Sequence, residues 1–448
     1  MVDPDYKTVN RGIPQIDYSN ILKYHGCNYQ IKDSFYSVGT GGVGVYTIYL
    51  STRILSAGLL LDRVLPVLCR YKISFDVLRN NQMLSVFNGY ARGLESVGKF
   101  VTVYCYSYAQ AVAILKDLER VVTGINGPEV PGMLRVGHLS YVSEQFFKGV
   151  TGDRKSADIP KIAEKEKCPR LLGGYYVPVK LMRRLPKGDT YWGINIRNLC
   201  FSPCLIKQGR RHTFDDHYGR DMFDRLDWQY RVLKELAPLK ISSQVLDLIY
   251  KKECAYLVLS YLEGSSMRMK VAELKGETCW KDLPKSQRLK LLCLFLETLK
   301  TVGQLHAAGF LHRDLNVDNI LIAPNNKVLL IDLELAYTQR LKQKGPPFGQ
   351  GIAGYVSPQQ RRYEIPDDKD DVYSLAAVLV FIITGRHPIE TIVEDGGKTT
   401  EILHQVTGSQ SLAEIMIQAL APSVAERISL QLLSALVEDE IAHYHTYC

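Results

Sequence analysis

A chain of 448 residues is long enough for two or three domains at roughly 150 residues each, which excludes a single small binding module. Hydrophobic residues make up 46% and charged residues 23%, the balance of a core-forming protein and not of a polar disordered chain. Lys and Arg number 55 against 47 Asp and Glu, and the excess of +8 is spread along the sequence. That spread suits a phosphate-handling protein or one with an acidic partner and gives no case for nucleic acid; on charge alone a soluble basic surface is the simpler reading.

The opening MVDPDYKTVNRG lacks the basic-then-apolar order of a secretory signal, and no apolar run approaches the roughly twenty residues of a spanning helix. A cytoplasmic protein without a membrane span is expected. Ten scattered cysteines lack the spacing of a disulfide framework and read as reduced thiols, mostly buried. Cys200 and Cys204, with His212 and His217, are the one group resembling a metal site, but a zinc turn uses tighter, paired spacing.

In chain order, VGVYTIYL, KISFDVLRN and KFVTVYCYS are β-branched and aromatic runs, and STRILSAGLLLDRVLPVL and YAQAVAILKDLERVVTGI carry helical apolar spacing. This first half, 1–150, reads as α+β or α/β. From Thr151 to Arg170 the periodicity disappears and about half the positions are charged, the composition of a solvated connector, so 151–175 is taken as a linker. Beyond it, NLCFSPCLIK and ECAYLVLSYLEG are strand-like, and RLKLLCLFLETLKTVGQLHAAG and DVYSLAAVLVFIITG are long helices. A sheet-rich lobe therefore precedes a helical lobe within 176–448.

The strongest signal is FLHRDLNVDNILI at Phe310 to Ile322, followed by VLLIDLELA at Val328 to Ala336. Two apolar strands bracket Asp314, Asn319 and Asp332. Transfer of a phosphoryl group needs a carboxylate that orients the acceptor hydroxyl and oxygen ligands for Mg²⁺, because positioning and charge neutralisation supply most of the catalysis. Asp314 can take the hydroxyl proton, and Asn319 and Asp332 can hold metal. Capping of strands by turn residues is the plainer alternative for such positions.

HRD, an Asn five residues after its Asp, and an Asp thirteen residues after that resemble the catalytic loop and metal-binding segment of protein kinases. The resemblance implies a two-lobed fold with ATP or another nucleoside triphosphate at the cleft. GIAGYVSPQ at Gly351 to Gln359 is similar to the end of the family's activation segment, Asp371 to the acidic start of its central buried helix, and Arg427 to its late arginine; Arg313 is the catalytic-loop arginine. In CLIKQGRR, Lys207 ends an apolar strand and takes the place of the lysine that reaches the nucleotide phosphates. The phosphate-covering loop shows only Gly188 and Gly193. Gln229, in RLDWQYRVLKEL, stands where the family's glutamate pairs that lysine, and supplies a hydrogen bond without charge. Gln359 stands where a glutamate meets Arg427, Asn316 replaces the loop lysine, and DLE at Asp332 to Glu334 replaces DFG.

DLE, the segment KQGRRHTFDDHYGRDMFDRL and the N-terminal half together resemble class III lanthipeptide synthetases, which join a phospho-Ser/Thr lyase domain, a kinase and a zinc-dependent cyclase. The resemblance implies a fold of α+β class, a two-lobed protein-kinase-like domain preceded by an α+β phospho-Ser/Thr-lyase-like domain. A lyase must hold a phosphate dianion with cations and move an α-proton. Lys99 fits the family's phosphate-site lysine, with Arg79 and Lys72 as nearby cations. Thr47 and Tyr49 stand where the family has lysine and histidine, Asp76 where it has the lysine of a Phe-Lys pair, and SYVSEQFF lacks the later arginine; His138 is the alternative base. No Cys/His zinc cluster follows Arg427. The implied function is a Mg²⁺- and ATP-dependent Ser/Thr kinase of a ribosomal precursor peptide, with a separate cyclase or lyase protein as a further partner. Two other functions follow from the same residues: a pseudokinase and pseudolyase scaffold binding the peptide or a partner enzyme, and a bifunctional kinase–lyase dehydratase.

Overall fold

The computed structural model describes residues 15–40, 45–89, 92–147, 169–199, 201–343, 345–349, 351–393 and 396–446. The charged connector read at Thr151 to Arg170 falls outside them except for Pro169 and Arg170, as does Cys200 of the cysteine–histidine group. Chain contacts divide the protein into two units, one built on residues 12–226 with 248–257, the other on 227–247 with 258–448.

The first unit opens with α1 (Ser19–Tyr24), β1 (Tyr29–Lys32), β2 (Phe35–Val38), β3 (Tyr46–Leu50), α2 (Ala57–Arg70), β4 (Ser74–Leu78), α3 (Asn81–Asn88), β5 (Val101–Cys105), α4 (Tyr108–Val121), β6 (Leu134–Arg135) and β7 (Ser140–Val142). The strands form one sheet in the order β1-β2-β4-β5-β3-β7-β6, antiparallel throughout. Alternation decides its faces: Val101, Val103 and Cys105 of β5 and Ile48 and Leu50 of β3 join the core, and Thr102, Tyr104, Thr47 and Tyr49 point the other way. Leu60, Leu61, Val64, Leu65 and Leu68 of α2 and Ile114, Leu115 and Leu118 of α4 recur at helical spacing and complete the core.

A second sheet follows, with β8 (Tyr176–Arg183), β9 (Thr190–Asn195) and β10 (Ser202–Arg210), then α5 (Met222–Leu236), β11 (Val245–Lys251) and β12 (Cys254–Ser260), in the order β11-β12-β10-β9-β8. The strand carrying Lys207 runs three residues past it, to Arg210, so Lys207 sits inside the strand, opposite Thr190 of β9, rather than at its end.

The other unit is mainly helical: β13 (Ser265–Ser266), α6 (Met267–Leu274), α7 (Lys285–Ala307), β14 (Ile320–Ile322), β15 (Val328–Leu330), α8 (Pro358–Arg361), α9 (Asp368–Thr384), α10 (Gly396–Thr407), α11 (Gln410–Ala419) and α12 (Leu430–Thr446). The chain is thus mixed α+β, with a β-rich N-terminal sheet domain and a C-terminal half whose strands are followed by helices, the class its sequence resemblance implies. Every residue of α9 from Asp370 to Ile383 is buried, which is why its sequence is apolar on all sides. Asp367 and Asp370 close a capping box at its start, and Gly385, with φ 72°, turns the chain out of it. Among the described residues no helix is long and apolar enough to cross a membrane.

Leu379, fully enclosed on α9, sets a measurable cost for this core: Leu379→Ala is expected to lower stability by about 2–5 kcal/mol, read from denaturant unfolding of the purified chain.

Candidate functional site

Phe310, Leu315, Val317 and Ile320 are buried and anchor the segment whose polar residues carry the candidate chemistry. β14 and β15 pair antiparallel with Ile320 opposite Leu330, and the ladder extends one step further through Ile331 N–H to Asn319 O, 3.0 Å. Asn319 and Asp332 therefore leave the hairpin at the same end. Asp332 itself takes a left-handed conformation, φ 62° and ψ 60°, which aspartate tolerates better than bulkier residues.

Asp371, fully buried in the first turn of α9, holds the loop from below. Its Oδ1 accepts the N–H of Arg313 (2.8 Å) and its Oδ2 accepts the N–H of His312 (2.8 Å) and Nε2–H of His306 (2.9 Å). Burial opposes the charge on Asp371, yet the hydrogen bond and charge of His306 outweigh it and hold the carboxyl below its usual range. Burial likewise opposes charge on His306, but its bond to Asp371 wins and raises its pKa. Arg313, at φ 63°, turns its guanidinium inward to Phe348 O (2.8 Å) and Leu335 O (3.3 Å). Desolvation lowers its pKa to about 10, opposed by Asp370 and Asp371, so it stays charged at neutral pH. Buried in this way, Arg313 braces the loop and the segment after Asp332 and is not presented to a substrate.

The amide of Asn319 donates through Nδ2 to both Asp314 O and Asp314 Oδ2, each at 2.9 Å. Two acceptors on one side fix the orientation of the amide and leave Oδ1 as the atom a cation could take. With the carboxylate of Asp332 at the same hairpin end, the donor set is an amide oxygen and a carboxylate oxygen. This set suits a hard divalent cation such as Mg²⁺, whose other positions go to water and phosphate. Asn316, in place of the family's lysine, braces the loop: its Nδ2 donates to Asp314 O (3.0 Å) and its Oδ1 accepts Asp318 N–H (2.9 Å). Arg268 of α6 grips Asp318 with two parallel bonds of 2.8 Å, and its own N–H donates to Val317 O. Nothing in the local sequence marks Arg268, because its partner lies 50 residues away. Gln359 meets Arg427 as the motif order implies, with Nη2 donating to Oε1 at 2.8 Å.

On the second sheet, Lys207 is half-buried on β10. The turn between β8 and β9 contains Gly188, at φ 147°, where a Cβ would lie 1.8 Å from Gln208 O. Gly193 is not in that turn. It lies within β9 opposite Cys204 and Pro178, and a Cβ there would meet Val177 O at 2.7 Å, so its smallness serves strand packing. Gln229 is buried on α5. His212 and His217 both lie in the segment between β10 and α5, and no group of three or more metal-ligating His, Cys, Asp or Glu gathers among the described residues.

The N-terminal sheet brings the aligned lyase positions onto one face, with altered chemistry. Lys99 Nζ stands 4.5 Å over the ring of Tyr49, and burial lowers its pKa against the pull of Glu95. Thr47 pairs with Tyr104 and Asp76 with Thr102. Asp76 accepts the hydroxyls of Ser37 and Tyr104, both at 2.6 Å, so a carboxylate fills the place of a cation. The other two expected cations divide between the two ends of β4. Lys72 precedes β4 at the end opposite Lys99, with the whole strand between them. Arg79 is committed to Asp33 O (3.2 Å) and the Tyr36 ring. His138 is tied through Nε2 to Ile125 O at 2.6 Å.

The raised pKa of His306 makes a pH prediction. Its contribution is complete below the unfolded value of 6.5 and is lost as pH rises through the higher folded value. The stability difference between wild type and His306→Gln is expected to be largest near pH 6 and to shrink toward pH 9, measured by thermal unfolding across that range.

Comparison with known proteins places two families on the chain. Residues 228–440 match the protein kinase domain, beginning after Lys207, and residues 44–146 match the N-terminal domain of RamC. Relatives include the serine/threonine-protein kinase PknB of Mycolicibacterium smegmatis, 32% identical over 138 residues, 30% of this chain and 20% of the relative. A probable serine/threonine-protein kinase of Streptomyces coelicolor is 25% identical over 283 residues, 62% of this chain and 39% of the relative. The chain thus spans about a fifth to two fifths of the curated relatives it matches. On these matches, the C-terminal part of this chain carries a protein kinase domain and is similar to serine/threonine-protein kinases, and a RamC-like domain precedes it.

Proposed function

We propose that the chain is a Mg²⁺- and ATP-dependent Ser/Thr kinase of lanthipeptide-synthetase type that phosphorylates a ribosomal precursor peptide. The observation that carries the reading is the two-bond contact of Asn319 with Asp314 at the hairpin end that also bears Asp332. Asp314 is aimed by that contact at the acceptor hydroxyl and takes its proton as the hydroxyl oxygen bonds to the γ-phosphorus and the bond to the β–γ bridging oxygen breaks. Asn319 Oδ1 and the Asp332 carboxylate hold Mg²⁺, which, when bound, neutralises the nucleotide phosphate oxygens. Lys207 orients those phosphates from β10 and Arg313 keeps the loop in shape.

The N-terminal face weighs against elimination. A phosphate dianion there would meet Asp76, while Tyr49 and Thr47 supply neither the cation nor the base that the reaction demands. A separate cyclase or lyase protein is a further partner, and the protein works in the cytoplasm.

Asp314→Asn is expected to reduce phosphoryl transfer to a Ser/Thr-rich peptide by about a hundred- to ten-thousand-fold with folding intact. Intact-mass analysis of the peptide after incubation with Mg·ATP checks this. Unchanged phosphorylation contradicts the role of Asp314, and loss of water in place of gain of phosphate contradicts the reading of the N-terminal domain.

A further inference from the structure

The segment between β10 and α5, residues 211–221, takes part in no step above, yet it is closely built. Thr213 Oγ1 donates to Arg210 O (2.5 Å), Met222 N–H returns to Thr213 O (3.1 Å) and Asp216 N–H to Arg220 O (2.9 Å). Arg220, 2% exposed, donates Nε–H to Asp216 Oδ2 at 2.7 Å. Asp221 accepts the N–H groups of His212 and Phe223, both at 2.8 Å, tying the segment's start to the first turn of α5. The strap is therefore closed by its own contacts, and none of these involves Asp215.

Asp215 faces the N-terminal domain instead. Its side chain is fully enclosed, and its Oδ2 accepts the N–H of Ile54 at 2.7 Å, in the short turn that leads into α2. The same oxygen lies 3.9 Å from Arg53 Nε, and Arg53 Nη2 donates to Gly219 O at 2.7 Å. Leu55 lies so close beneath Gly219 that a Cβ there would meet its Cδ1 at 2.8 Å. Burial pushes the Asp215 carboxyl up to about 7, with Ile54 N–H, Arg53 and Asn88 pulling the other way. A carboxylate enclosed at that cost, in a loop that closes without it, has docking as its use.

We propose that Arg53 and Asp215 form a clamp through which the N-terminal domain fixes the strap and, with it, the Lys207 strand and the start of α5, making both positioning residues for the nucleotide. The clamp stands on these contacts alone; its effect on the nucleotide rests on the reading of Lys207 given under the proposed function.

The test uses the full chain and three variants, Arg53→Ala, Asp215→Ala and Asp215→Asn, with hydrogen exchange of residues 53–58 and 211–226 and calorimetric binding of Mg·ATP. Either alanine variant is expected to speed exchange in both segments and to weaken Mg·ATP at least tenfold. Asp215→Asn, which can still accept from Ile54 N–H, is expected to stay within threefold of wild type in both. Faster exchange confined to the mutated segment overturns the clamp. Release of both segments with unchanged Mg·ATP affinity overturns the positioning role. A wild-type chain that binds no Mg·ATP overturns the nucleotide reading and the positioning role with it, while the exchange data still decide the clamp.

Discussion

The arrangement of the candidate catalytic loop depends on one buried carboxylate. Asp371 offers its two oxygens to three donors, the main-chain N–H groups of His312 and Arg313 and the ring of His306. A carboxylate enclosed at the start of a wholly buried helix is costly unless its lone pairs are used. Here they are used on the residues just before Asp314. Arg313 is thereby held at positive φ, a conformation its own sequence does not favour, and its charged group is turned inward to carbonyls at Leu335 and Phe348.

From that anchor the rest of the loop is reached by short steps. Asn319 and Asn316 bond to Asp314, Arg268 pins Asp318, and the β14–β15 hairpin carries Asn319 and Asp332 to a common end. Each of these bonds is modest in isolation, but they share residues, so the geometry at Asp314 is set by a network and not by any one contact. The N-terminal face is the opposite case. The fold gathers Lys99 with Tyr49, Asp76 and Tyr104, so a single cation stands among neutral and acidic groups where a phosphate would need several.

Much of this was legible in the sequence because the polar residues at issue interrupt apolar runs. Asp314, Asn319 and Asp332 stand out on either side of a buried hairpin, the first two before β14 and the last after β15, and Asp371 marks the start of a helix apolar on all sides. The meeting of Gln359 with Arg427 followed from motif order and is present at 2.8 Å. What escaped the sequence falls into three kinds. Short or exposed strands such as β1, whose residues are mostly solvent-facing, carry no alternation to read. Contacts between distant residues, such as Arg268 with Asp318 or Arg53 with Gly219, leave no local trace. Nearness in sequence also misled: Lys72 and Arg79 flank the same strand, and a strand sends its two ends apart, so a cluster of three cations was never possible there.

The central claim, that Asp371 sets the geometry in which Asp314 can act, is tested most directly by Asp371→Asn. The amide keeps one acceptor oxygen but turns an NH₂ toward a main-chain N–H that needs an acceptor, so size is conserved and the bracket is not. Steady-state phosphoryl transfer from Mg·ATP to a Ser/Thr-rich peptide, compared between wild type and a variant of unchanged helical content, should fall by about 100-fold or more. Turnover within twofold of wild type would contradict the account.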